Sequence, residues 1–212
     1  LYDSLQAHLL PHEREAILGG SFEAQRCGGC GHVFQPEHRA LYVDLPGQLW
    51  VLMVPPEERP KVWTWERDLS QMFLQELSEA PQEARAAMSN QTVRLVLGQA
   101  ALTEAVFCAR EGIEPSVLEC AKLMRWRRSL GLLLDLGPCA LRVRGWGSQG
   151  ALRCGVDDLR GRSLREGVEL EGGLLEEARE RADAWRKAQP GLFGRAWCCA
   201  SGELFPVKRG EA

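Results

Sequence analysis

Two cysteines separated by two glycines, in the run Cys27-Gly28-Gly29-Cys30-Gly31, carry the clearest chemistry in this chain. With this spacing two thiolates chelate one metal ion, and small residues between and after them let backbone amides turn toward the sulfurs. A structural zinc site takes four ligands, and no second Cys-x-x-Cys follows. His32 and His38 lie close by in sequence, Cys108, Cys120, Cys139 and Cys154 read as buried apolar positions, and adjacent Cys198 and Cys199 would point to opposite faces of a strand. Two other readings of the pair stay open: incidental cysteines in a glycine turn, and a redox dithiol. The dithiol reading needs a helix start that lowers one thiol's pKa, and the glycines here argue against a helix.

Other constellations are weaker. His8 and His12 stand four residues apart, as a metal pair on a helix would, but Leu9 occupies the place of a zinc protease's glutamate and Pro11 interrupts the turn. Asp157 and Asp158 read as a solvated turn rather than paired catalytic carboxylates. Ser148 lacks the strand and Gly-x-Ser-x-Gly context of a hydrolase nucleophile, and no phosphate loop or dinucleotide fingerprint occurs. Trp63 and Trp65 read as residues capping a core. Trp126, flanked by Arg125, Arg127 and Arg128, combines the two residue types most enriched at interface hot spots, which makes these four candidate partner contacts. Trp126 and Trp146 could alternatively stack on bases while arginines hold phosphate.

Composition narrows the class of protein that carries these residues. The chain has 212 residues, 45% hydrophobic and 26% charged, enough for one good core or two small ones. No apolar run approaches the roughly 20 residues of a membrane helix, and eight cysteines fall well below the density of a disulfide-built secreted domain. The first residues carry no basic-then-apolar leader, so a cytoplasmic, soluble protein is expected. A net charge of -3 argues against general attraction to nucleic acid, although charge is segregated. Between Arg125 and Arg165 nine arginines stand against Asp135, Asp157 and Asp158, whereas Glu166 to Trp185 holds seven acids against Arg179 and Arg181.

The elements that must position these residues fall into three sections, 1–60, 61–129 and 130–212. In the first, Pro11 opens a short helix that the Gly19-Gly20 pair stops. Short β runs follow at Val33-Phe34, Leu41 to Asp44 and Leu49 to Val54, the last two joined by a Pro46-Gly47 turn in which glycine would supply positive φ. The second section is helical. Val62, Trp63, Trp65, Leu69, Met72, Phe73 and Leu77 recur at helical spacing, and Pro81 breaks the pattern. Thr92 to Leu97 is a short strand, and two helices follow, the second started by Pro115. The third section reads as short apolar runs (132–136, 140–143, 151–154, 168–170) in a small antiparallel sheet. One helix with Leu174, Leu175, Ala178, Ala182 and Trp185 on its face comes next, then a last β run, Ala196 to Cys199.

The stretch Pro11-His-Glu-Arg-Glu-Ala-Ile-Leu-Gly-Gly-Ser-Phe-Glu-Ala-Gln-Arg-Cys-Gly-Gly-Cys-Gly31, with Ala40 to Asp44 and Leu49 to Pro55, resembles the bacterial CpXC domain. Arg94 to Gly98 and then Leu102, Glu104, Gly112, Ile113, Glu119 and Lys122 resemble its helical continuation. The likeness is close over 2–60 and loose over 92–124. The family carries two Cys-Pro-x-Cys motifs; here Gly28 replaces the proline of the second, and the chain begins about where the first would have ended. The resemblance thus implies a zinc knuckle at Cys27 and Cys30 whose other two thiolates lie upstream of Leu1, and it implies no activity.

The expected protein is therefore of α+β class, with a small zinc-ribbon-like β hairpin module, a helical middle section, and a small antiparallel sheet with one helix at the C-terminus. Its expected role is that of a non-enzymatic zinc-knuckle protein working through a protein partner or self-association. Nucleic-acid binding through the knuckle and the Arg125 to Arg165 stretch is the first alternative, and an enzyme with an unrecognised site is the second.

Overall fold

Strands β4 (Ala40–Asp44) and β5 (Leu49–Val54) are buried along their whole length, which is why they read as continuous apolar runs rather than alternating ones. A computed structural model describes residues 3–7, 9–128, 136 and 138–188 and places these two strands at the centre of a mixed sheet of order β1-β4-β5-β6. β1 (Asp3–Gln6) runs parallel to β4, β4 and β5 are antiparallel, and β6 (Thr92–Leu97) runs parallel to β5.

The period-2 alternation of the strands supplies two apolar faces, and helices cover both. Leu41, Val43, Trp50, Leu52, Val54, Leu95 and Leu97 form one core with Val62 and Leu69 of α2 (Val62–Glu79) and Met88 of α3 (Gln82–Met88). On the opposite face Tyr42, Val51, Met53 and Val96 pack against Ile17 of α1 (Pro11–Leu18) and Ala101, Leu102 and Val106 of α4 (Gln99–Arg110). Pro81 separates α2 from α3 as expected: Ala80 before it is extended, at φ -64° and ψ 143°.

The turn between β4 and β5 uses its glycine differently from the expectation. Positive φ falls on Gln48 (φ 53°) and not on Gly47. Gly47 is needed for close approach instead: its N–H donates to Asp44 Oδ1 at 3.1 Å, and a Cβ at Gly47 would lie 2.6 Å from Asp44 Oδ2.

A second core lies beyond α4. The strands β7 (Cys139–Trp146), β8 (Leu152–Asp158) and β9 (Ser163–Leu170) form the expected antiparallel sheet. The helices α5 (Pro115–Arg128) and α6 (Gly172–Ala188) cover it. Leu123, Trp126, Leu141, Val143, Leu152, Val156, Leu170 and Ala178 share one cluster there, and Phe107 and Cys108 of α4 join it. Helix α4 thus contributes both to the cluster on the opposite face of the main sheet and to this one. The class is α+β, as the sequence indicates. The expected β run at 132–136, apart from residue 136, and the run Ala196 to Cys199 lie outside the described residues.

Candidate functional site

The cysteine pair sits on a two-stranded ribbon that stands apart from the main sheet. β2 (Gln25–Arg26) and β3 (Val33–Phe34) pair antiparallel, Gln25 opposite Phe34 and Arg26 opposite Val33. The loop between them closes through Cys27 N–H to His32 O at 2.8 Å and Gly31 N–H to Cys27 O at 2.9 Å. Gly31 adopts φ +72°, where a side chain would be strained, and Arg26 Nη1 donates to its carbonyl at 3.1 Å. This folding aims backbone at sulfur. The amides of Cys30 and Gly29 donate to Cys27 Sγ, and together with the Cys30 thiol they hold the Cys27 pKa below that of an ordinary thiol.

Two thiols are half of the four ligands that a structural zinc site takes. Cys30 is exposed and Cys27 half-buried, and the amides directed at Cys27 favour its charged form. Among the described residues no group of three or more His, Cys, Asp or Glu side chains is assembled for a metal. His38 turns elsewhere, with Nε2 3.2 Å from Glu23 Oε2 and Nδ1 3.3 Å from Pro36 O; His32 contributes its carbonyl oxygen to the turn. Cys108, Cys120, Cys139 and Cys154 are buried in the second core as expected, and burial pushes the Cys120 and Cys154 thiols up to about 11 and about 12. At such values they are inert apolar residues. His8, Cys198 and Cys199 lie outside the described residues.

Polar contacts lock the ribbon's exit to the core. Gln35 Nε2 donates to Phe22 O and to Gln99 Oε1, both at 2.9 Å, and Gln99 Nε2 donates to Pro36 O at 2.9 Å. The carboxylate of Glu37 accepts the Gln99 N–H at 3.1 Å, at the first turn of α4 where amides lack helical partners.

The arginine-flanked tryptophan is not a partner contact: Trp126 is only 2% exposed, with its ring inside the second core. On α5 it shares an inward face with Leu123, three residues before it, and with the buried Lys122, four before it. The arginines around it meet strand β9 and the acidic helix α6. Arg128 Nη2 pairs with Glu177 Oε2 at 2.7 Å, Arg127 lies 4.7 Å over the Trp185 ring, and Arg125 Nε donates to Glu169 O. Trp146 is 45% exposed, but its Nε1 donates to Glu111 Oε2 and its ring packs edge-on against Phe107. Trp63 and Trp65 pack on the first core, Trp65 beneath the Arg39 guanidinium at 4.5 Å.

Asp157 and Asp158 part company. Asp158 caps a turn, accepting the N–H groups of Arg160 and Arg162 at 2.9 Å each. Asp157 is not solvated, because strand β8 turns it inward; it is 1% exposed and pairs with Arg144. Burial raises its pKa despite that partner. His12 is exposed beside Glu13, and Ser148 lies exposed in a short 3₁₀ turn.

A buried charge cluster was not expected. Lys122 Nζ, 1% exposed, donates to Glu104 Oε1 and to Glu119 Oε1, each at 2.7 Å. Glu104 Oε1 also faces Arg142 Nη1 at 3.3 Å, and Glu104 Oε2 accepts the Val143 N–H at 2.6 Å. Helices α4 and α5 and strand β7 thus meet through ions. One signal was legible, the i, i+3 pair of Glu119 and Lys122 amid the apolar positions Leu118, Cys120, Ala121 and Leu123. Glu104 and Arg142 are too distant in sequence for such spacing to reach.

No curated protein and no solved structure matches this chain. A family model described as CpXC protein matches residues 1–122, from the first strand through α4 and most of α5. That span exceeds half of the chain and contains the Cys27–Cys30 ribbon, and the chain belongs to the CpXC family.

Proposed function

We propose that the Cys27–Cys30 turn is one half of a four-ligand zinc site, and that the chain acts through it as a non-enzymatic, cytoplasmic protein-binding or regulatory module. One observation carries this reading: two thiols stand on an exposed glycine turn whose amides point at the Cys27 sulfur. Zinc would be held by both thiolates and would supply a rigid cross-link, not reactivity, once four ligands close the site.

The route for the remaining ligands follows from register. Asp3 pairs with Ala40, the first residue of β4, and β3 ends at Phe34. The start of β1 therefore lies beside the start of β4, six residues of chain or roughly 20 Å at most from the end of the ribbon, and the other two ligands are proposed to come from that side. Val33 and Phe34, 50% and 42% exposed, place apolar surface beside the thiols for a protein partner.

Cobalt titration of the full-length chain tests the metal reading, because cobalt bound by thiolates absorbs through sulfur-to-metal charge transfer. The absorption should appear stoichiometrically and disappear in Cys27→Ser. Its absence from the full-length protein would sink the knuckle. Stoichiometric co-migration with a protein, unaffected by nuclease, supports the partner reading, whereas steep loss of DNA or RNA affinity with salt would replace it with nucleic-acid binding.

A further inference from the structure

A cavity of about 260 Å³ lies between β6 and the corner joining α4 to α5, with the exposed residues Gln48, Thr92 and Gly112 at its mouth. β6 is the last strand of the main sheet and, among the described residues, pairs with β5 alone. Arg94, Leu95, Val96 and Leu97 all line the cavity. Successive side chains alternate between the two faces of a strand, so a space that touches four residues in a row runs along the strand's edge. Backbone N–H and C=O groups are presented there.

The opposite side is apolar. Ala101, Ala105 and Ala109, spaced at i, i+4 and i+8, turn one face of α4 to the cavity, and their small side chains leave the space open. Ile113 and Leu118, both buried, close it toward the second core.

The charged groups that reach the cavity are all engaged within the protein. Glu104 accepts from Lys122, Arg142 and Val143, and Glu119 accepts from Lys122. Glu114 pairs with Arg186 at the mouth, and Arg94 has an interaction of its own. An ion entering here would give up its hydration and find every lining charge already met, so charge of either sign on a ligand is penalised. An uncharged molecule avoids that cost and gains from burying apolar surface against the alanine face. A carboxamide suits the strand edge, because it donates and accepts as a peptide group does. An apolar cavity of roughly 150 Å³ accepts benzene, so in proportion this one takes about ten non-hydrogen atoms.

We infer that this cavity binds an uncharged small molecule of that size, its apolar body against Ala101, Ala105 and Leu118 and an amide-type group hydrogen-bonded to the edge of β6. None of residues 25–34 lines the cavity, and the site does not depend on metal at the cysteine ribbon.

Calorimetry and thermal melting of the full-length protein at pH 7 with phenylacetamide, phenylacetate and phenethylamine test the inference, since the three carry one ring on a neutral, an anionic and a cationic group. Phenylacetamide should bind saturably at one site, raise Tm, and bind at least about tenfold more tightly than either ion. Ala105→Leu should narrow the cavity and reduce phenylacetamide affinity by about tenfold or more in a protein that still melts cooperatively; Ala109→Leu serves if the first variant does not fold. Absence of saturable phenylacetamide binding, equal or tighter binding of either ion, or unchanged phenylacetamide affinity in a folded cavity-filling variant would each overturn the site.

Discussion

The cysteine ribbon and the Lys122 cluster place polar chemistry in opposite settings. The ribbon strands are exposed, and their chemistry comes from four consecutive residues and the amides between them. The cluster lies within the protein, Lys122, Glu104 and Glu119 all being at most 5% exposed, and it gathers side chains from α4, α5 and β7. An exposed group is stabilised by water whether or not it has a partner, so it can wait for a ligand. A buried charge must be met by its own protein, because its desolvation is otherwise uncompensated. The ribbon thus leaves its thiols within reach of solvent, and the cluster joins α4 to α5 and β7.

The largest effect should come from breaking the cluster on one side. Lys122→Met leaves two carboxylates buried and should destabilise folding by about 3–5 kcal/mol, read from urea unfolding. Neutralising the lysine with both of its acids, as Lys122→Met with Glu104→Gln and Glu119→Met, should recover part of that loss, because the amide oxygen introduced on α4 still accepts from the Val143 N–H and from Arg142, though Arg142 loses its carboxylate partner. A loss below about 1 kcal/mol in the single variant would show that the charges are not coupled as their distances indicate.

Acid should erode the same cluster. Burial pushes the Glu104 carboxyl up, but Lys122, Arg142 and the Val143 amide outweigh it and hold its pKa below the ordinary glutamate range. A depressed folded pKa makes the contribution fully present above the unfolded value of about 4.3 and lost as pH falls through the lower folded value. Stability against urea should therefore keep falling below about pH 4, and Glu104→Gln should flatten that part of the profile.

Surface charges should matter less. Arg127→Ala and Arg128→Ala remove an exposed stacking contact and an exposed ion pair and should cost at most about 1 kcal/mol each. The smallest effect belongs to the ribbon, where Cys27→Ser should change the metal-free protein by about 0.5 kcal/mol or less while removing its capacity for metal. A large loss of metal-free stability in that variant would make the ribbon structural and erase the contrast.

What the sequence revealed follows the same division. The β4–β5 pair, the break at Pro81 and the C-terminal sheet were legible because apolar period and proline act locally. The cysteine pair was legible for the same reason, as was the burial of Cys108, Cys120, Cys139 and Cys154. Trp126 misled because its arginine neighbours sit on other faces of the same helix, and adjacency along a helix is not adjacency in space. Asp157 misled likewise, since a strand sends consecutive residues to opposite sides and only Asp158 faces the turn. The cluster depends on Glu104 meeting Arg142 across 38 positions, which no local pattern encodes.

The central claim is that Cys27 and Cys30 hold metal, and direct metal analysis of the native full-length protein tests it. The account predicts one zinc per chain, abolished by Cys27→Ser while the folded cores persist. A full-length protein purified without zinc, and unable to take it up when reduced, would contradict it.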